Sequence, residues 1–546
     1  MGVRDLMPAP GDVAAGIRLL RSLPGVLRHP LDVAAARATL RRRLAERESQ
    51  FLAHVGRVVY STPGSPYRTL LDWAGCERGD LERLVEQDGL EAALATLHRR
   101  GVYLTADEFR GRQDVARGAL RLRVRPADLR PPAGRFHLSG QSGGSRGARL
   151  PVRIDLAWLR DRGVDAVLAL EARGALGWRH AVWSVPGSAI LSIILRYSLC
   201  GGPPVRWFSQ IDPRAPALPS RYRWSARVLQ WGGRLAGVPL PGPLFAPVDA
   251  PEPVLRWIGE TLRVGQTPHV DTFPSSAVRL CLAAEAQGLD LTGAHFTLAG
   301  EPLTRARRDV IERVGAKMAT YYACAGVGIL GFWCLQPETS DEVHLANDLC
   351  AVIQPAGAGS PEAPSSGPLL VTSLRPAAPF VLINVGLGDE AVISRRMCGC
   401  PLEALGWATH LQSIRSYEKL TAAGVTLPDG DVVRALEEVL PGRFGGMPTD
   451  YQLVEDARAD GRPRLRLLVH PRVGLVDGRA VAEAFLGALA NGPGAERVMQ
   501  LALRRAGVLE VERRAAMPTP AGKILHLHAD GDETLAGSRV APAESA

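Results

Sequence analysis

Three sets of residues in this 546-residue chain have the types and spacing that chemistry requires. The first is the loop Ser139-Gly140-Gln141-Ser142-Gly143-Gly144-Ser145-Arg146-Gly147, which follows a short apolar run, Phe136 to Leu138, that predicts a strand end. Glycine admits positive φ and close backbone approach, so the N–H groups of such a loop can wrap a phosphate chain while serine hydroxyls add donors. No Gly-Lys-Ser/Thr stands at P-loop spacing, and the composition also suits a solvated loop. The second set is the lysines. Lys and Arg together number 65, yet lysine occurs only at Lys317, Lys419 and Lys523, so each ammonium stands where arginine was not used. The third is Cys334, His344, Cys398 and Cys400, with Cys350 as a spare thiol. Cys398-Gly-Cys400 is a tight thiolate pair that Cys334 and His344 would complete into a tetrahedral, structural zinc site with no open position. Buried free thiols and an ordinary histidine are the alternative.

These groups need elements to hold them. A chain of this length exceeds a single core, so at least two domains are expected. The first ~50 residues read as Arg-rich helix. Two helices leading to an extended segment are predicted between Pro66 and Thr105, with Asp80 and Thr105 as N-caps. From residue 151 extended and helical patterns alternate: His295 to Gly300 reads as a strand and Leu303 to Val314 as a helix. Such alternation predicts a largely parallel α/β sheet. Trp178, Trp183, Trp207 and Phe208 suit core packing better than the walls of an acyl pocket. After about Arg415 strands (Tyr451 to Val454, Arg464 to Val469) and helices (Val432 to Leu440, Val481 to Ala490) predict a compact α+β domain, followed by a polar tail.

The net charge is +9. The arginines are scattered, and the Arg41-Arg42-Arg43 cluster is followed by Glu46 and Glu48, so a solvated helix face is expected and a nucleic-acid partner is not. No secretory signal is visible, and Ala189 to Leu195 is too short to span a bilayer. Eight cysteines in a chain this size make no disulfide framework. A cytoplasmic protein without a membrane partner is the expectation.

Five stretches occur in a telling order: the Ser139–Gly147 loop; Ala299-Gly300-Glu301-Pro302-Leu303; Tyr321-Tyr322-Ala323-Cys324-Ala325-Gly326; Gly388-Asp389 with Arg415-Ser-Tyr-Glu-Lys419; and Pro518-Thr-Pro-Ala-Gly522-Lys523-Ile524. In this order they resemble the adenylate-forming enzyme superfamily, and within it the phenylacetate–CoA ligase-like branch, from about residue 55 to 530. The resemblance implies a large nucleotide- and acyl-binding domain (1–412) and a small mobile C-terminal lid domain carrying the catalytic lysine (413–530); the polar, small-residue composition beyond it predicts a disordered tail (531–546). It implies activation of a carboxylic acid, an aryl acid such as a phenylacetate, by ATP with Mg2+ to an acyl-adenylate, and transfer of the acyl group to CoA or to a carrier-protein thiol. By position, Ser139, Ser142, Gly143, Gly144 and Ser145 would cradle phosphates. Gly300, Glu301, Pro302, Tyr321 and Tyr322 would hold adenine, and Asp389 the ribose hydroxyls. Arg415 would sit by ribose or phosphate, and Lys523 would contact the carboxylate and α-phosphate. A homodimer is compatible with this reading.

The chain departs from the family's Tyr-Gly-x-Thr-Glu: Ala325 and Gly326 replace the hydroxyl and the magnesium-binding carboxylate. Glu338, Asp341 or Glu342 are the nearby substitutes to weigh, since a hard cation needs oxygen ligands. Gln141 stands in the loop where Thr or Ser is usual, Arg146 or Arg149 replaces its terminal lysine, and Tyr417 occupies a hinge position often Asp or Lys. A degenerate relative that binds nucleotide or acyl ligand without full catalysis is therefore the alternative.

Overall fold

The computed structural model describes residues 10–131, 136–141, 151–215, 220–248, 250–324, 327–355, 359–360, 363–364, 366–416, 420–422, 425–427, 429–457, 463–489, 509–518 and 524–529. Two compact units emerge. The larger holds nearly all of the chain to Glu418, and the smaller begins at Lys419. The strand Thr409–Ser416, which pairs with Val385–Arg395, keeps the segment after 412 in the larger unit.

The larger unit is the α/β arrangement the alternation predicts. Its main sheet has 12 strands. Six of them, Lys317–Cys324, His295–Leu298, Pro268–Thr272, Arg179–Ser184, Arg206–Ser209 and Pro243–Phe245, run parallel in that spatial order. Beyond Lys317–Cys324 the sheet turns antiparallel, through Gly328–Trp333, Val343–Leu345, Thr409–Ser416, Val385–Arg395, Gly367–Ser373 and Cys350–Ile353. In the parallel half, Pro268–Thr272 is buried at every position, as a strand covered on both faces must be. Helices Leu156–Ala172, Ser188–Leu199, Glu252–Arg263, Pro274–Ala286 and Arg305–Arg313 alternate with these strands along the chain. Trp183 and Trp207 are fully buried and pack the core.

The N-terminal region is helical, but the stretch after Pro66 forms three helices, Pro66–Trp73, Arg78–Asp88 and Leu90–Arg99. Gly89, at φ +80°, breaks what the pattern merges, because only glycine adopts that backbone without strain. Thr105 is the predicted N-cap, its Oγ1 accepting from Glu108 N at 3.2 Å. Asp80 is not: it stands three residues past the cap, and its carboxylate accepts Glu77 N–H at 2.9 Å. The capping-box carboxylate looks like a cap in sequence because both serve orphan N–H groups.

The smaller unit has a four-stranded sheet, ordered Leu509–Arg513, Pro463–Val469, Tyr451–Ala457, Leu527–Ala529. The two central strands form an antiparallel hairpin, and each outer strand runs parallel to its neighbour. Helical segments Asp429–Arg434, Ala435–Val439 and Leu440–Phe444, with Gly478–Ala488, bury Val432, Leu436, Leu440, Val481 and Phe485 against Leu453 and Leu467.

Candidate functional site

In parallel α/β sheets ligands bind beyond the C-terminal ends of the strands. Two motif stretches lie there, after His295–Leu298 and at the end of Lys317–Cys324. Gly300, at φ +84°, makes the turn that starts the first. The Glu301 carboxylate accepts Ser275 N at 2.9 Å, Ser275 Oγ at 2.8 Å and Arg307 Nη1 at 2.8 Å. Both side chains of this ion pair are only 1% exposed. Glu301 thus fixes the Gly300–Pro302 turn between helices Pro274–Ala286 and Arg305–Arg313, with Glu301 buried and Gly300 exposed. Ser275 and Arg307, which anchor it, carry no motif.

Tyr321 and Tyr322 share a strand, so they point to opposite faces. Tyr321 faces a buried cluster. Arg196 lies over its ring at 4.7 Å and donates to Asp271 at 2.9 Å, and Tyr197 Oη donates to the same carboxylate oxygen at 2.9 Å. Burial, with Asp271 nearby, pushes the Tyr321 phenol up to about 12. Tyr322 faces the other way and donates to Asp389 Oδ2 at 2.7 Å. The Cys324 thiol is 2.9 Å from Tyr322 Oη and 3.3 Å from Asp389 Oδ2. Burial, then Cys324 and Asp389, raise the Tyr322 phenol well above its ordinary value, so it remains a donor. Lys317–Cys324 and Val385–Arg395 are not neighbours in the sheet, yet the hydrogen bond joins them. The third and fourth motif stretches therefore converge, with Tyr322 rather than the tyrosine pair beside Asp389.

Arg415 lies on Thr409–Ser416 opposite Glu390, the residue after Asp389. Its Nη1 donates to Asp341 Oδ2 at 2.7 Å and to Ile414 O at 2.7 Å. Two of the three substitutes weighed for a magnesium ligand are engaged by other groups. Asp341 holds Arg415; Glu342 accepts from Arg396 Nε at 2.9 Å and lies 2.6 Å from His410 Nδ1. Glu338 is 61% exposed in its side chain and 3.7 Å from Arg396. With neither Ala325 nor Gly326 offering a side-chain oxygen, the described residues do not fit a magnesium held by protein carboxylates.

Cys334, His344, Cys398 and Cys400 do come together: their ligand atoms lie within 4.8 Å of one another, all buried. His344 Nδ1 donates to the Trp407 carbonyl at 2.6 Å, which leaves the Nε2 lone pair toward Cys400 Sγ at 3.0 Å and Cys398 Sγ at 3.6 Å. This second contact fixes the tautomer a metal ligand needs. Hydrogen bonding from Cys334 holds Cys400 far below the ordinary thiol range and pushes Cys334 up. Cys334 also groups with Glu342 and His410, but those two already face each other. The set of three sulfurs and one nitrogen fits zinc. Cys350 lies elsewhere, on the strand Cys350–Ile353, with its thiol toward Ala346 O.

Ser139 lies on the strand Leu138–Gln141, paired with Pro151–Ile154. Ser142, Gly143, Gly144, Ser145, Ala325, Gly326, Tyr417, Lys419, Lys523 and the 531–546 tail lie outside the described residues. The base of the Lys523 segment is described. Buried Gln452 donates from Nε2 to Met517 O and Leu525 O, both at 2.9 Å, and its Oε1 accepts Met517 N at 2.6 Å. One amide closes both ends of the Pro518–Ile524 stretch. No motif marks Gln452; the sole signal is a polar residue within the apolar run Tyr451–Val454 that opens its strand.

No protein-family model matches the chain, and no curated protein matches it. Solved structures that resemble it include a 2-hydroxyisobutyryl-CoA ligase in complex with 2-HIB-AMP and CoA, at 15% identity, covering 92% of each chain with a TM-score of 0.38. An amide bond synthetase from Marinactinospora thermotolerans is 14% identical over 88% of this chain and 92% of its own, with a TM-score of 0.41. An anthranilate CoA ligase in complex with anthranoyl-AMP is 11% identical over 71% of this chain and 65% of its own, again at 0.41. Likenesses at these scores carry no weight for function. The motif residues and their convergence carry the reading.

Proposed function

We propose that this chain is an AMP-forming acid–thiol ligase that activates a small carboxylic acid, of aryl or phenylacetate-like type, and passes the acyl group to CoA. The observation that carries this reading is the Tyr322–Asp389 hydrogen bond, which joins two motif stretches that are distant in sequence and in sheet order. In the first step a carboxylate oxygen attacks the α-phosphorus of ATP and pyrophosphate leaves. In the second a thiolate attacks the acyl carbon and AMP leaves. Asp389 accepts a ribose hydroxyl, the Tyr322 ring offers a stacking face, and the backbone of Gly300 and Pro302 meets adenine. The developing charge needs donors and cations. With no carboxylate set for magnesium among the described residues, that task falls on Arg415, Lys523 and the Ser139–Ser145 stretch. Zinc on Cys334, His344, Cys398 and Cys400 would act as a closed structural tie. None of the eight cysteines is paired in a disulfide, which suits a reducing cytoplasm. Among the described residues, no helix is long and apolar enough to cross a membrane.

Pyrophosphate release from the purified chain, with ATP and a panel of aryl and aliphatic acids, tests the reading. Acid-dependent release supports it; a CoA requirement for turnover separates CoA from a carrier-protein acceptor. The second reading, a nucleotide- or acyl-binding relative without catalysis, draws on Ala325 and Gly326. Nucleotide binding without release for any acid, and release gained on Gly326→Glu, would favour it.

A further inference from the structure

Among the described residues, two non-glycine positions have positive φ, Asn384 at 52° and Ser413 at 54°. Asn384 has a plain structural reason: its amide donates to Leu94 O at 2.8 Å and Val102 O at 3.1 Å. Ser413 stands two residues before Arg415, in a strand whose pairing slips. Gln412 pairs with Val392 and Arg415 with Glu390, so two residues on one strand face one on the other. Such a bulge re-aims the side chains that follow it and belongs where geometry has a use. One carboxylate holds it. Asp341 accepts Ser413 N at 3.0 Å on Oδ1, and Ile414 N at 2.8 Å and Arg415 Nη1 at 2.7 Å on Oδ2. Thr339 Oγ1, at 3.1 Å, orients Oδ1 from the other side. Asp341 side-chain exposure is 7%, against 22% for Arg415. The carboxylate is thus at the rear and the guanidinium at the front. Of the guanidinium, the described residues engage Nη1.

We propose that Asp341 is a positioning residue for nucleotide binding: it clamps the Ser413 bulge and so aims the remaining face of Arg415 at an anionic or hydroxylated group of the nucleotide. This rests on the ligase reading of Arg415. It replaces the role of cation ligand for which Asp341 was weighed above, because its oxygens already accept four donors.

The test uses the full chain and AMP or ATP as the probe, with affinity from calorimetry and KM and kcat from pyrophosphate release. Arg415→Ala and Asp341→Asn are each expected to weaken nucleotide binding about tenfold, with KM moving more than kcat, and the double variant to be no worse than Arg415→Ala alone. Metal content should stay at the wild-type value throughout. Glycine takes positive φ without strain, so Ser413→Gly in the Asp341→Asn background is expected to recover at least about threefold in affinity. A general loss of folding would show no such rescue. Wild-type affinity in Asp341→Asn, losses that multiply in the double variant, or no recovery with Ser413→Gly would each overturn the proposal while leaving the ligase reading intact. A wild-type chain that binds no nucleotide would overturn both.

Discussion

The Cys/His cluster and the Tyr322–Asp389–Arg415 region lie at different strand ends of one sheet and are built to different rules. In the cluster all four side chains are buried, its histidine has Nδ1 fixed on Trp407 O, and apolar residues such as Phe332, Leu402 and Trp407 pack around it. A zinc ion held by these four would have a closed coordination sphere, with no position left for a substrate. In the other region Tyr322, Asp389 and Arg415 are partly exposed, Tyr322 donates to Asp389, and a bulge with Ser413 at positive φ stands beside the Arg415 guanidinium. A fully buried cluster stabilises; partly exposed polar groups are set to meet a ligand. The first region therefore reads as a tie between the segments at 334–344 and 398–400, and the second as a binding surface.

The largest effect that would sharpen this contrast is on the chemistry. Lys523→Ala is expected to lower acid-dependent pyrophosphate release by about 100-fold or more, the scale of losing a charge-stabilising donor at a reacting group, with the cluster's metal content unchanged. Next, Cys400→Ser is expected to drop bound zinc, by elemental analysis, from about one equivalent to below about 0.2, since a three-ligand remnant loses much of the binding free energy. It should also lower Tm. An intact metal content would break the comparison from the other side. Asp389→Asn should raise KM for ATP about tenfold or more while leaving zinc in place, consistent with losing a charged acceptor worth roughly 1.5–3 kcal/mol. Gln452→Ala removes the amide that closes the base of the Lys523 segment. It is expected to lower kcat severalfold with KM nearly constant, at about 1–3 kcal/mol of lost stability from the backbone groups left unsatisfied. The smallest effect is Tyr322→Phe, which keeps the ring but not the donor, and should raise KM for ATP about threefold to tenfold.

The strand and helix alternation was legible because apolar periodicity is local: His295 to Gly300 and Leu303 to Val314 match the observed strand and helix to within a few residues. The two helices expected between Pro66 and Thr105 are three because the backbone angle of Gly89, which hydropathy does not record, ends one of them. The grouping of Cys334, His344, Cys398 and Cys400 was legible because few residue types suit zinc, and their side chains do come together. The use of Glu301 was not, since Ser275 and Arg307 reach it only through helix packing. The Tyr321–Tyr322 pair shows a different limit. Period-two alternation alone separates the two rings, but the family pattern groups them by position. Asp341 was visible as a carboxylate near the motif, yet its partner depended on a register slip that no local pattern records.

The most direct test of the central claim is acid-dependent pyrophosphate release from the full-length chain, run beside Lys523→Ala. The account predicts release that requires both ATP and a carboxylic acid and that collapses in the variant. Release equal in the two proteins, or none from folded wild-type chain with any acid in the panel, would contradict it.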